Sequence, residues 1–170
     1  ESGQSIANQT AVNLEELVHE AIEEVKPTTD SRNHTVISKV PGNLPPVWVD
    51  RDMIFRAIIN LLENGSKFTP SGGEITIVSS QADGWLTVSV EDNGPGIPVL
   101  DRERIFDKFI RLRGQDRPGG LGIGLAFCKM VAEGHGGRIW VESQMNIGTT
   151  FHFTLPIATK EQLADEKNEK

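Results

Sequence analysis

The chain has 170 residues, 37 % of them hydrophobic, and a formal net charge of −7. That length is enough for one domain with a buried core, but no stretch approaches the roughly 18 consecutive apolar residues of a membrane span, and no signal-peptide pattern opens the chain. An acidic chain is a poor partner for nucleic acid, and the single cysteine, Cys128, excludes an internal disulfide and fits a reducing, cytoplasmic setting.

Residues 1–11 are small and polar and read as a linker remnant, 12–156 as the domain proper, and 157–170 as a charged tail, frayed or weakly helical. Leu14, Leu17, Val18, Ala21, Ile22 and Val25 recur at helical spacing, with Asn13 placed to cap the helix and Pro27 just beyond its expected end. "HTVISKV" and "PVWVD" read as strands. Asp50 or Asp52 then caps a second helix running to about Phe68. "EITIVSS" and "GWLTVSVED" alternate as a strand pair, followed by the loop "NGPGIP". A short helical turn in "DRERIFDKF", a helix from about Leu121 to Glu133, and the closing strands "GRIWVESQ" and "GTTFHFTLP" complete the domain. Three long helices and about six strands predict a two-layer α/β sandwich, with one sheet face covered and the other partly wet.

Three stretches point to chemistry. In the second helix, Asn60, Asn64 and Lys67 fall within a sector of roughly 60° at helical periodicity, opposite the apolar Ile54, Phe55, Ile58, Leu61 and Leu62. Asparagine costs a helix about 0.5–0.7 kcal/mol relative to alanine, so a merely polar face would favour Glu, Lys or Gln. Amide oxygens are hard neutral ligands that suit Mg²⁺ shared with phosphates, and a lysine one turn on would neutralise a phosphate oxygen.

In "VEDNGPGIP", Asp92 ends a strand beside Gly94 and Gly96. A carboxylate there can accept from an exocyclic amino group, while the same residues also make an ordinary turn. In "PGGLGIGLAFCK", glycines precede an apolar helix and offer backbone N–H groups to an anion, although neither the dinucleotide nor the P-loop spacing is present. The segment 102–117 ahead of it holds Arg102, Arg104, Lys108, Arg111, Arg113 and Arg117 against Glu103, Asp107 and Asp116, which favours phosphate as the anion over a solvated charged loop. The four histidines show no metal spacing, and His135 reads as a helix-end residue.

In this order the elements resemble the catalytic ATP-binding domain of sensor histidine kinases, within the superfamily of DNA gyrase, the Hsp90 chaperones and the MutL proteins. "NLLENGSKFTP" is similar to the family's N box, "EDNGPGIP" to its G1 box, "IFDKFIR" to its F box and "GGLGIGLAFCK" to its G2 box. The resemblance implies the Bergerat fold, a mixed, mostly antiparallel sheet covered on one face by about three helices, and it implies ATP and Mg²⁺ as ligands. It assigns the metal to Asn64, phosphate to Lys67, and the adenine amino group to Asp92 in a pocket shaped by Gly94, Gly96 and Ile97. Phe106 and Phe109 mark the base of an ATP lid, with Lys108 and Arg111 near the phosphates. Gly120, Leu121, Gly122, Ile123, Gly124 and Leu125 form the lid's far end, and Thr149 or Thr150 supports the adenine site. Asn60, Asn64, Lys67 and Arg111 make up the implied catalytic set.

Asn60 stands where hydrolysing superfamily members carry Glu, which favours transfer to a histidine over hydrolysis. Leu121 departs from the usual Thr or Ser, with loss of a hydroxyl contact to phosphate. No histidine sits in the family's phosphoacceptor pattern, so the acceptor is expected on a separate dimerisation and phosphotransfer domain, with a response regulator downstream. The fragment is expected to be monomeric, its parent a homodimer, with or without a membrane anchor. A nucleotide-sensing or scaffolding domain without phosphotransfer is the alternative reading, and a clamp ATPase is disfavoured by Asn60.

Overall fold

The computed structural model describes residues 8–107 and 124–169. In chain order these form β1 (Gln9–Val12), α1 (Leu14–Ser31), β2 (Thr35–Ser38), β3 (Val47–Asp50), α2 (Arg51–Phe68), β4 (Glu74–Ala82), β5 (Trp85–Asp92), a 3₁₀ turn (Val99–Asp101), α3 (Gly124–Gly134), β6 (Ile139–Gln144), β7 (Gly148–Pro156) and α4 (Lys160–Asn168). A five-stranded sheet runs in the order β2-β4-β5-β7-β6. Only the β2–β4 pair is parallel.

Strict alternation gives this sheet its two faces. Ile75, Ile77, Leu86, Val88, Val90, Phe151, Phe153 and Leu155 are register partners or same-face neighbours, all at most 2 % exposed beneath the helices. Thr87, Ser89, Thr150, His152 and Thr154 point to the opposite face. α2 buries Ile54, Ala57, Ile58, Leu61, Leu62, Gly65 and Ser66, a stripe at three- and four-residue intervals. Each large aliphatic side chain in that stripe contributes about 1.5–3 kcal/mol of transfer free energy. Asp50 caps the helix, its Oδ1 accepting from Met53 N at 3.2 Å. Thr69 closes the other end, with N and Oγ1 both donating to Gly65 O, at 3.1 and 2.7 Å.

Three elements differ from their sequence readings. α1 does not stop at Pro27 but continues to Ser31. Proline removes one helical hydrogen bond, and the turn beyond it is held by tertiary anchoring. Thr29 is buried, Arg32 Nη1 donates to Ser66 Oγ of α2 at 3.3 Å, and the His34 ring nitrogens lie 2.9 Å from Ser66 Oγ and from Thr69 O. A strand, β1, begins at Gln9 within the polar opening and pairs antiparallel with β3. The charged tail carries a capped helix, α4, in which Thr159 and Gln162 form a reciprocal capping box. Glu166 of that helix accepts from Ala11 N at 2.8 Å, which covers the outer edge of the β1–β3 ribbon. The described residues therefore hold seven strands and four helices.

Candidate nucleotide-binding site

Asp92 is the last residue of β5, on the helix-covered face and cross-strand from Ile75 and Thr149. Gly94 N donates to its Oδ1 at 2.9 Å, and the Thr149 amide donates to the same carboxylate. Burial pushes its pKa above the ordinary carboxylate value, and these two hydrogen bonds pull it partly back. Two glycines leave the carboxylate accessible. A Cβ on Gly65 of α2 would lie 3.6 Å from Oδ2, and one on Gly94 would lie 3.0 Å from Oδ1 and 3.1 Å from Phe68 O. A half-buried acceptor held by two backbone amides and bordered by glycines fits an incoming N–H donor such as an exocyclic amino group.

The loop after Asp92 is braced by the β6–β7 hairpin. Gly96 has φ +88°, and a Cβ there would sit 2.7 Å from Gln144 O and 2.9 Å from Met145 Cα, so only glycine fits. Asn146 N donates to Pro95 O at 2.8 Å. Ile97 N donates to Ser143 Oγ at 2.7 Å, and Ser143 shares hydrogen bonds with Gly148 O at 3.1 Å and Thr149 Oγ1 at 2.9 Å. The structure separates the two threonines. Thr149 is buried beside Asp92, and Thr150 lies on the opposite face, paired with Glu91. Ser143 escaped sequence reasoning because it reaches the loop only through its pairing with Thr149.

On α2, Asn60, Asn64 and Lys67 are all half-buried on the side away from the core, while Arg56 and Glu63 are exposed. The Asn60 amide donates to Gly124 O at 3.4 Å, tying α2 to the start of α3. Cys128 Sγ makes a parallel tie to Ala57 O at 3.4 Å, and burial pushes that thiol up to about 12, so it stays protonated. The Lys67 ammonium lies 5.7 Å from the Phe68 ring centroid. Asn64 offers one neutral amide oxygen, and no group of three or more His, Cys, Asp or Glu side chains is poised for a metal among the described residues. A donor set of that kind suits a cation that keeps most of its shell for water and phosphate.

Phe106 packs edge-on against Phe151, centroids 6.0 Å apart at 86°, and Arg102 Nε donates to Ile97 O at 3.0 Å. The structure thus brings Asp92, Gly94, Gly96, Ile97 and Thr149 together against the last turns of α2 that carry Asn64 and Lys67. Gly124 and Leu125 open α3 beside Asn60. Lys108, Phe109, Arg111, Gly120, Leu121, Gly122 and Ile123 lie outside the described residues. His135 is structural, as its sequence context suggests. It is buried, with Nε2 accepting from Asp50 N at 3.0 Å and Nδ1 2.8 Å from Val131 O. Among the described residues no helix is long and apolar enough to cross a membrane.

A family profile described as histidine kinase-, DNA gyrase B- and HSP90-like ATPase matches residues 49–159. The adaptive-response sensory kinase SasA of Microcystis aeruginosa is 40 % identical over 157 residues, covering 92 % of this chain and 41 % of the relative. The chain therefore spans about two-fifths of the length of the curated relatives it matches. The nucleotide-free catalytic domain of histidine kinase ThkA superposes with a TM-score of 0.79 at 30 % identity, over 92 % of this chain and 99 % of that one. ThkA in complex with the response regulator TrrA gives 0.74 at 29 % identity, over 88 % of this chain and 42 % of that one. Matched along its centre by the family profile and along nearly its whole length by a kinase catalytic domain, the chain belongs to the histidine kinase-, DNA gyrase B- and HSP90-like ATPases, as the ATP-binding catalytic domain of a sensor histidine kinase.

Proposed function

We propose that this domain binds Mg-ATP and passes the γ-phosphoryl group to a histidine on a separate dimerisation and phosphotransfer domain. The observation that carries the reading is the Asp92 carboxylate, half-buried, held by the Gly94 and Thr149 amides, and left accessible by Gly65 and Gly94. In this role Asp92 accepts from the adenine amino group, while Gly94, Gly96, Ile97 and Thr149 shape the pocket around it. Asn64 and Lys67, one turn apart on α2, then face the phosphates. Asn64 supplies the protein's ligand to Mg²⁺, and the metal neutralises phosphate charge when bound. Asn60 fixes the start of α3 against α2.

By the family resemblance, Phe106 and Phe109 are assigned to the base of an ATP lid, Lys108 and Arg111 to phosphate contact, and Gly120 to Leu125 to the lid's far end. Catalysis of this kind rests on positioning and charge neutralisation more than on covalent chemistry. The neutral Asn60 amide suits transfer to an imidazole, already a nucleophile, rather than activation of water.

The wider assignment follows the same reading. The residues ahead of β1 lead toward the dimerisation domain, the elements from β1 through β7 carry catalysis, and 157–170 form an appendage. In this reading the fragment is a monomer, its parent a cytoplasmic homodimer with or without a membrane anchor, and the phosphoryl group passes onward to a response regulator. Leu121 motivates a second reading, a nucleotide-sensing domain without transfer, because a hydroxyl is lost from the G2-like glycine segment.

Calorimetric titration with a non-hydrolysable ATP analogue, with and without Mg²⁺, tests the first step. Binding that strengthens with Mg²⁺ and is abolished in Asp92→Ala supports the assignment, and no binding at millimolar nucleotide overturns it. Transfer of label from ATP to an added phosphoacceptor domain separates the kinase from the sensing module.

A further inference from the structure

The last turn of α2 is gripped from behind by a histidine that neither the family match, which starts at residue 49, nor the nucleotide reading employs. His34 is 7 % exposed, at the entrance to β2. Its Nε2 lies 2.9 Å from Thr69 O and 3.1 Å from Pro70 O. Carbonyls only accept, so Nε2 carries the hydrogen. Nδ1, 2.9 Å from Ser66 Oγ, is then the acceptor of the Ser66 hydroxyl in the neutral ring, and Ser66 Oγ in turn accepts from Arg32 Nη1 at 3.3 Å. The result is a directed relay, Arg32 to Ser66 to His34 to the Thr69 carbonyl. Backbone bonds run alongside it, Gly72 N to Asn33 O and Thr35 N to Gly73 O, both at 3.0 Å.

Ser31, Arg32, His34, Ser66, Thr69, Pro70 and Ser71 line a cavity of about 300 Å³. Its buried floor is satisfied internally. Both ring nitrogens and the Ser66 hydroxyl are engaged, and Thr69 Oγ1 donates to Gly65 O. These groups therefore act on the helix they hold rather than on a ligand.

We infer that His34 is a positioning residue for the nucleotide site: through Ser66 and the Thr69 carbonyl it sets the rotation of the last turn of α2. The inference rests on the reading proposed above. Ser66 directly precedes Lys67 and lies two residues after Asn64, the two α2 side chains assigned to the phosphates and the metal. At a side-chain radius of about 5–6 Å, a rotation of roughly 10° displaces an amide oxygen by about 1 Å. Shifts of that size weaken a preorganised site by one to two orders of magnitude.

The test compares wild type with His34→Ala, His34→Gln and Ser66→Ala, titrating a Mg-bound ATP analogue and, separately, adenosine. The Mg-nucleotide engages α2, whereas adenosine engages mainly Asp92. His34→Ala is expected to weaken the Mg-nucleotide at least about tenfold while changing adenosine by less than about twofold. His34→Gln keeps an N–H donor toward Thr69 O and recovers most of the affinity. A loss shared equally by both ligands, or a fall in melting temperature with neither affinity changed, overturns the inference and leaves His34 a stabilising residue only. If His34→Ala fails to fold by circular dichroism, Ser66→Ala reads the same split, with His34→Gln still expected to stay near wild type. Asp92→Ala is the control: if it leaves wild-type affinity for both ligands intact, the nucleotide reading fails rather than the role of His34.

Discussion

A carboxylate at the end of a strand, partly withdrawn from water, resists ionisation unless something compensates it. Asp92 has two backbone amides, and burial still outweighs them. Its folded pKa lies above the ordinary 3.8, so folding favours the protonated form. The stability it contributes is fully present below 3.8 and is lost as pH rises through the folded value. Urea unfolding should therefore show wild type losing stability relative to Asp92→Asn as pH increases across that window. The same variant puts an N–H₂ group where an amino group must donate, and calorimetry should register at least about a tenfold loss of nucleotide affinity. An unchanged affinity would remove Asp92 from adenine recognition.

Ser143 makes a second test at this scale. Ser143→Ala deprives the buried Ile97 amide of its acceptor, at a cost of about 1–3 kcal/mol by urea unfolding. Asp92 could be found in the sequence because a carboxylate followed by N-G-P-G sits where a strand pattern ends. Ser143 could not, because its role depends on a cross-strand register that no local pattern encodes.

The same division between local and long-range signals explains which elements could be read. α2 was legible but for its cap: its apolar residues keep one period over five turns and Thr69-Pro70 ends it, while only the structure selects Asp50 over Asp52 as the N-cap. The polar stripe of Asn60, Asn64 and Lys67 followed from that period, and the structure places all three on one side of the helix. α1 overran its expected end because Pro27 is a local signal and the anchoring of Thr29 and His34 is not. β1 is only four residues long, too short for alternation to register, and it exists by pairing with β3. α4 has few apolar side chains and is held by its capping box and by Glu166 on Ala11 N. That dependence is testable. Glu166→Ala should raise hydrogen exchange at the Ala11 amide strongly while lowering global stability by only about 0.5–1.5 kcal/mol. Exchange unchanged at Ala11 would mean that α4 does not hold the ribbon edge.

Across the whole molecule, the candidate site is assembled from parts far apart in sequence: the end of β5, the last turns of α2, the β6–β7 hairpin and the start of α3. None of these forms the site alone, and each is fixed by contacts to another. A ligand that binds only this assembled arrangement must stabilise the folded state as a unit. At a ligand concentration about 100 times Kd the gain is about 2.7 kcal/mol, which raises Tm by roughly 5–11 °C for a domain of this size. The direction of the hydrogen bond at Asp92 adds selectivity. In the proposed binding mode its carboxylate accepts from the 6-amino group of adenine, whereas guanine presents a carbonyl oxygen at that position, and two acceptors facing one another leave both unpaired. Thermal unfolding with equal millimolar ATP and GTP, each with Mg²⁺, should therefore show a large shift for ATP and less than about half of it for GTP. Equal shifts would mean that affinity comes from the phosphates alone, with the Asp92 end of the site contributing nothing to choice of base.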